Sequence, residues 1–361
     1  MGASLHPTGS PSRHARRAGG GPMTVPPMSH TVMSHTLLIA TLCAGVAALL
    51  IASVAVGYAP LDLGAAIADL AAGRQTLPAL VLAELRLPRA ILGAAVGFSL
   101  GITGAALQGL MRNPLADPGV VGVSGAAALG AVVAFYFGFS SAFALALPLG
   151  GLIGAGLSTA VLLTLAGRGA GTATLILAGV ALSSLSGALT ALALNLAPSP
   201  YAALEVVFWL MGSLSDRSLA HVALALPFMA VGWVLVLSTG RALDALTLGE
   251  DAAASLGFPL PRVRLLVIGG TAAAVGASVA VAGAIGFVGL VVPHLMRPFV
   301  GHRPGRLLLV SGLAGAALTL GADIAVRLIP TRPELKLGVI TALIGAPFFL
   351  ALLRHLRVDG E

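Results

Sequence analysis

Apolar residues in this chain come in long unbroken runs rather than in stripes. Ten runs stand out, at residues 36–57, 88–109, 119–137, 143–166, 173–194, 220–238, 265–283, 285–299, 307–328 and 336–354. All but the short 285–299 run suit a bilayer-crossing helix of roughly 17–25 residues. The pattern predicts an all-α polytopic membrane protein of about ten transmembrane helices. They would form a single transmembrane domain over residues 36–357. A tail over 1–35, rich in Gly, Pro, Ser and His, is expected to be disordered and cytoplasmic, and a short tail follows at 358–361. The run beginning near residue 36 is too long for the apolar core of a cleaved secretion signal.

One break in the pattern has an order of its own. The stretch LTLGEDAAASLGFPLPRVR, residues 246–264, reads as a short soluble helix between two apolar runs. Thr247 and Glu250 have the spacing of a capping box. Leu248, Ala252 and Leu256 fall on one stripe, Gly257 supplies a left-handed stop, and Pro259 forbids continuation. The pattern predicts a helix of about nine residues, on the order of 14 Å, too short to span a membrane. The second run has another regularity. Gly93, Gly97, Gly101, Ala105 and Gly109 repeat every four residues, which predicts a face for close helix packing inside the bundle.

Composition supports the membrane reading. The 361 residues are 57% hydrophobic and 9% charged, against roughly 25% charged in a typical soluble domain. The formal net charge of +7 does not indicate nucleic-acid binding, because the arginines lie between apolar runs and form no continuous basic face. They act instead as topology signals. With the N-terminus inside and the spans alternating, 13 of the 20 basic residues fall on the inner side. Both termini and residues 240–264 are then cytoplasmic. Arg86, Arg89 and Arg327 fall on the outer side, against the trend.

Chemistry of its own is hard to find in the chain. It has no phosphate-binding glycine loop ending in Lys–Ser/Thr, no His-Glu-x-x-His, no paired cysteines and no Gly-x-Ser-x-Gly. These absences leave no motif for nucleotide hydrolysis, metal catalysis or acyl transfer. Cys43 reads as lipid- or core-facing filler and His294 as structural. Asp323 is the one acid inside an apolar run, with Arg327 one turn on. An ion-coupled carrier would want carboxylates near the midplane. A stand-alone secondary transporter or channel is therefore the weaker alternative, and the energy for uphill movement is expected to come from another chain.

The blocks RLPRAILGAAVGFSLGITGAALQGLMRNPLADPGVVGVSGAAALGAV (86–132), FWLMGSL (208–214), LDALTLGEDAAASLGF (243–258), AGAIGFVGLVVPHLMR (282–297) and ELKLGVITALIGAPFFLALL (334–353) carry a specific resemblance. They resemble the FecCD-like permeases of type II ABC importers, which take up iron–siderophore, haem or cobalamin. The resemblance implies a membrane subunit that pairs with a second permease subunit, identical or paralogous. Two cytoplasmic ATP-binding subunits would bind the ATP and Mg, and this chain would hold no cofactor or metal. An external substrate-binding protein would deliver the cargo, a ferric siderophore foremost, with haem and cobalamin as the others. Membrane lipid is the remaining partner.

The same resemblance assigns residues. Leu248, Glu250, Asp251, Ala252, Ser255, Leu256 and Gly257 fall in the coupling helices that dock on the ATPase. The competing reading is a helix lying on lipid, against which stand its two acids and its lack of Lys or Arg. Arg86, Arg89 and Arg327 match arginines that face acidic residues of the binding protein, while Arg327 has its internal pair with Asp323 as an alternative. Gly171 and Thr172 match positions of a cytoplasmic gate where a relative has two hydroxyls, so the glycine departs from that pattern. RNPLADP (112–118) is expected to be an ordered corner, with Asn113 and Asp117 bonding backbone freed by the prolines. Arg332 and Lys336 are extra charges expected at the outer mouth.

Overall fold

The computed structural model describes residues 34–57, 60–119, 122–139, 143, 145–165, 172–331 and 333–358; the side chains of 172–173 and 352–358 fall outside the description. Helices in chain order are α1 (His35–Ala55), α2 (Leu63–Ala71), α3 (Leu77–Leu80), a π-helical turn (Val81–Arg86), α4 (Leu87–Met111), α5 (Val123–Tyr136), α6 (Ala146–Leu165) and α7 (Thr172–Asn195). They continue with α8 (Pro200–Leu210), α9 (Leu219–Leu237), α10 (Gly240–Leu246), α11 (Glu250–Ser255), α12 (Leu260–Ala282) and α13 (Val288–Met296). A 3-10 turn (Arg297–Val300), α14 (Pro304–Leu328) and α15 (Leu337–Val358) complete the order. Among the described residues there is no strand.

Seven helices among the described residues are long and apolar enough to cross a membrane, and Val123–Tyr136, Pro200–Leu210, Val288–Val300 and Leu337–Ala351 are shorter apolar helices. All ten apolar runs become helical, but two are cut short. The 119–137 run yields a helix only from Val123, behind Gly122 at φ +85°. The 285–299 run starts helically only at Val288, behind Phe287 at φ +68°. An apolar run marks where lipid or core is, and left-handed residues decide where the helix within it begins.

The bundle is organised around α4. Its small-residue face packs on α14: a Cβ at Gly97 would run into the Gly315 carbonyl, and one at Gly101 into that of Ser311. The neighbouring face meets α13, where Gly104 lies against the Gly289 backbone. With no hydrophobic drive between helices in lipid, such backbone-to-backbone approach supplies the dispersion contacts that hold a membrane bundle. Gly93 abuts Leu320 and Leu214, Ala105 is fully buried, and Gly109 meets Pro304 and Leu243. All five residues of the four-residue repeat therefore face protein.

The helix ends define two faces. One gathers the ends of α1 and α14, the start of α4 and the 333–336 loop. The other gathers the 112–119 corner, α10, α11 and the start of α14. Between them two non-helical loops and the start of α15 interlock: Gly212 lies against the Ala284 carbonyl, Gly338 in the first turn of α15 against the Ala284 and Met211 carbonyls, and Ser213 N–H donates to the Ala282 carbonyl at 2.7 Å. A side chain at Gly212 or Gly338 would meet backbone carbonyls of the facing segments and pry them apart.

Candidate functional site

At the first face, five charged residues form one buried cluster. Asp323, 1% exposed, accepts from Arg89 Nη2 at 2.8 Å and pairs with Arg327 Nη2 at 2.9 Å. Arg89 also pairs with Glu334, whose other oxygen accepts from Ser215 Oγ at 2.7 Å. Arg327, 7% exposed, donates to the carbonyls of Ser53 and Val56, both at 2.6 Å, and to Ser53 Oγ at 2.7 Å. Arg86, 6% exposed, donates to the carbonyls of Val54 and Ala55 at 2.9 and 2.8 Å. These carbonyls belong to the last turn of α1 and its exit, where intrahelical donors run out. The guanidinium fork suits several such acceptors at once. The three arginines are thus bonded inward, and fasten the end of α1 to α4 and α14. Their expected presentation to a binding protein meets an arrangement in which Arg86 and Arg327 have almost no accessible surface. The Asp323–Arg327 pair read as an alternative is present.

Sequence reasoning missed Glu334, Ser215 and Ser53 as members of this cluster. An acid between Pro333 and Leu335 gives little signal alone. The available hint was arithmetic: two arginines near Asp323 leave an excess of positive charge that a second carboxylate offsets.

At the second face, the helix expected over about nine residues of 246–264 is shorter, α11 at Glu250–Ser255, and a separate short helix, α10 at Gly240–Leu246, precedes it. Gly249, at φ +108°, breaks the chain between them and is itself the N-cap of α11. The capping box does not form. Thr247 belongs to the end of α10 and donates its hydroxyl back to the Asp244 carbonyl at 2.7 Å. The Glu250 carboxylate turns to Arg264 at 2.9 Å instead of to the cap amide. The spacing misled because residues 240–246 are already helical, so Thr247 is captured as a C-terminal residue. The stop is as expected: Gly257 has φ +86°, its N–H bonds the Ala254 carbonyl at 2.9 Å, and Phe258 N–H bonds that of Ala253 at 3.1 Å. This is a Schellman ending. Phe258 then packs on the core beside fully buried Ala253.

The result is a short capped platform with Leu248 71% and Leu256 62% exposed. Asp251 is exposed too, Ala252 is half-buried, and Ser255 Oγ donates to the Asp251 carbonyl at 2.9 Å. Beside the platform, Arg112 adopts φ +47° and ends α4. Asn113 Oδ1 accepts from Leu115 N–H at 2.9 Å and Asp117 Oδ1 from Gly119 N–H at 2.8 Å, so both side chains bond freed backbone in this corner. Burial pushes the Asp117 carboxyl above its ordinary pKa, and the Gly119 bond opposes the shift.

The gate pair is partly out of view. Gly171 lies outside the described residues, and Thr172 opens α7 with its side chain outside the description. Arg332 also lies outside, whereas the Lys336 ammonium sits 5.5 Å from the Phe208 ring centre. Among the described residues no group of His, Cys, Asp and Glu is disposed to hold a metal.

The FecCD transport family model matches residues 45–355. The chain belongs to this family. It is 42% identical over 281 residues to the cobalamin import system permease protein BtuC of Halobacterium salinarum, covering 77% of this chain and 74% of the relative. It is 39% identical over 305 residues to the Fe(3+) dicitrate transport system permease protein FecD of Escherichia coli, covering 84% and 94%. A solved structure, described as an inward-facing conformation of a metal-chelate type ABC transporter, superposes with a TM-score of 0.76 at 30% identity, over 89% of this chain and 99% of that one. Like other FecCD permeases, the protein is a transport component of a type II ABC importer. In that setting the platform and the charge cluster mark the two ends of one bundle. The α7 residues Leu177, Leu185 and Leu192 and the α15 residues Leu343 and Leu350 are left exposed.

Proposed function

We propose that this chain is one half of the membrane path of an ATP-driven importer for a bulky metal chelate. Family membership carries the reading, and the exposed apolar platform at 248–256 supports the energy coupling. A cytoplasmic ATP-binding subunit docks there, with Leu248 and Leu256 entering an apolar groove and Asp251 at its edge. Glu250 acts from within, tying α11 to Arg264 at the start of α12, so that a pull on the platform reaches a long, mostly buried helix. The arginine bias of the sequence supports the cytoplasmic placement. A second permease subunit covers exposed leucines of α7 and α15.

The external binding protein sits on the opposite face. Arg86, Arg89 and Arg327 hold the shape of that rim, and Arg89, the least enclosed of them, is the one best placed to exchange a carboxylate partner. The relatives are named for a corrinoid and for a ferric chelate, so the shared chemistry, a large metal-centred anion or zwitterion, is the cargo class. A self-powered carrier is not favoured: Asp323 is already held by two arginines and has little freedom to cycle a proton or cation.

Reconstitution into vesicles with the ATP-binding subunits and the binding protein tests this. Uptake of the chelate should require both partners and ATP. Uptake that persists without the ATP-binding subunits would sink the proposal.

A further inference from the structure

The second face holds a pocket beside the platform. It has a volume of about 280 Å³ and lies among the end of α4, the α10–α11 link and the start of α14. Pockets for whole drug-sized ligands begin near 300 Å³, so this one suits a fragment or head group rather than the cargo. Arg112, Arg297 and His302 line it, and no Asp or Glu does. Arg297 is placed deliberately: its Nη2 donates to Gln108 Oε1 at 2.6 Å, and the buried Gln108 amide is held in turn by the Gly289 and Leu290 carbonyls at 3.3 and 3.4 Å. Among the described residues no carboxylate pairs with Arg297 or Arg112. The nearby Asp244 is committed to the Gly305 amide at 2.7 Å.

Arg112 and His302 both sit in the left-handed region, at φ +47° and +60°. That conformation is disfavoured for side chains other than Gly, Asn and Asp. Here it places both residues on one pocket. A half-buried guanidinium with no counter-ion is costly, and an anion held between the Arg297 and Arg112 guanidinium groups that line the pocket offsets that cost. Arginine's planar donors match phosphate oxygens.

We propose that this pocket binds a phosphate group, supplied by an acidic phospholipid head group or by free phosphate. Its position at the helix ends, where α4 and α14 meet their loops, suits the level of lipid head groups.

The full chain in neutral detergent is titrated with phosphatidylglycerol and with phosphatidylcholine by native mass spectrometry. A separate arm titrates inorganic phosphate and follows thermal stability. Wild type should retain phosphatidylglycerol in preference to phosphatidylcholine. Arg297→Gln should weaken that preference by about tenfold, as for a lost charge-assisted hydrogen bond, while Arg297→Lys should retain most of it. Arg112→Gln and His302→Gln change exposed side chains, and so report even if Arg297→Gln folds poorly. A stabilising response to phosphate without lipid preference identifies the free ion as the ligand, and the reverse identifies the lipid. If neither anion is bound, or if binding is unchanged in Arg112→Gln/His302→Gln, the proposal is wrong.

Discussion

Asp323→Asn removes one charge from the rim cluster at almost no change in volume. The carboxylate is 1% exposed and serves two guanidinium groups, Arg89 at 2.8, 3.0 and 3.2 Å and Arg327 at 2.9 Å. Removing one partner of a buried ion pair costs about 3–5 kcal/mol, because the remaining charge stays desolvated. Arg89 keeps Glu334, and Arg327 keeps Ser53 and Val56. Those retained contacts place the expected loss near the lower bound, about 3 kcal/mol. An ordinary side-chain hydrogen bond between membrane helices averages about 0.6 kcal/mol and reaches about 1.7. Unfolding in mixed micelles at increasing denaturing detergent separates the two regimes. A double-mutant cycle with Arg327→Gln should show strong coupling, since the second change removes the cation that the first strands. A single-mutant loss within about 1.7 kcal/mol, or additive effects in the cycle, would refute the idea that this is an integrated charge cluster.

Leu248→Asp with Leu256→Asp alters exposed side chains, so stability should stay within about 0.5 kcal/mol; co-purification of the ATP-binding subunit should nonetheless be lost, as a pull-down would report. Gly101→Leu drives a side chain into the Ser311 backbone, and overpacking of this kind costs about 1–3 kcal/mol or more, read as reduced thermal stability in detergent. Gly257→Ala strains a residue at φ +86° and should cost about 1–2 kcal/mol, visible as faster amide exchange at Ala253–Phe258. Asp69, near the end of α2, accepts from Arg74 and Thr76 of the α2–α3 link, and its carboxyl is held below its ordinary pKa by the Thr76 hydroxyl first and by Arg74. The carboxylate-held link should therefore persist above the unfolded-state pKa of about 3.9 and loosen as pH falls through the lower folded value, as amide exchange at Arg74–Thr76 would show.

Much of this was written in local patterns. Ten apolar runs predicted ten helical segments because, in hydrocarbon, a backbone must bond itself. The four-residue repeat from Gly93 to Gly109 predicted a buried face because only small residues let helix axes approach. Gly257 before Phe258–Pro259 announced a helix stop for reasons within a single turn. What failed was what depended on a neighbour. Thr247 and Glu250 have capping-box spacing, but α10 and Arg264 claim them first. Nothing local to Arg86 and Arg327 indicated that their guanidinium groups would bond the carbonyls ending α1, some 30 and 270 residues away in sequence. Periodicity and local sterics are properties of adjacent residues and can be read from the chain alone. Which acceptor a long guanidinium reaches, and where a Glu334 closes the charge balance, exist only once distant helix ends are brought together.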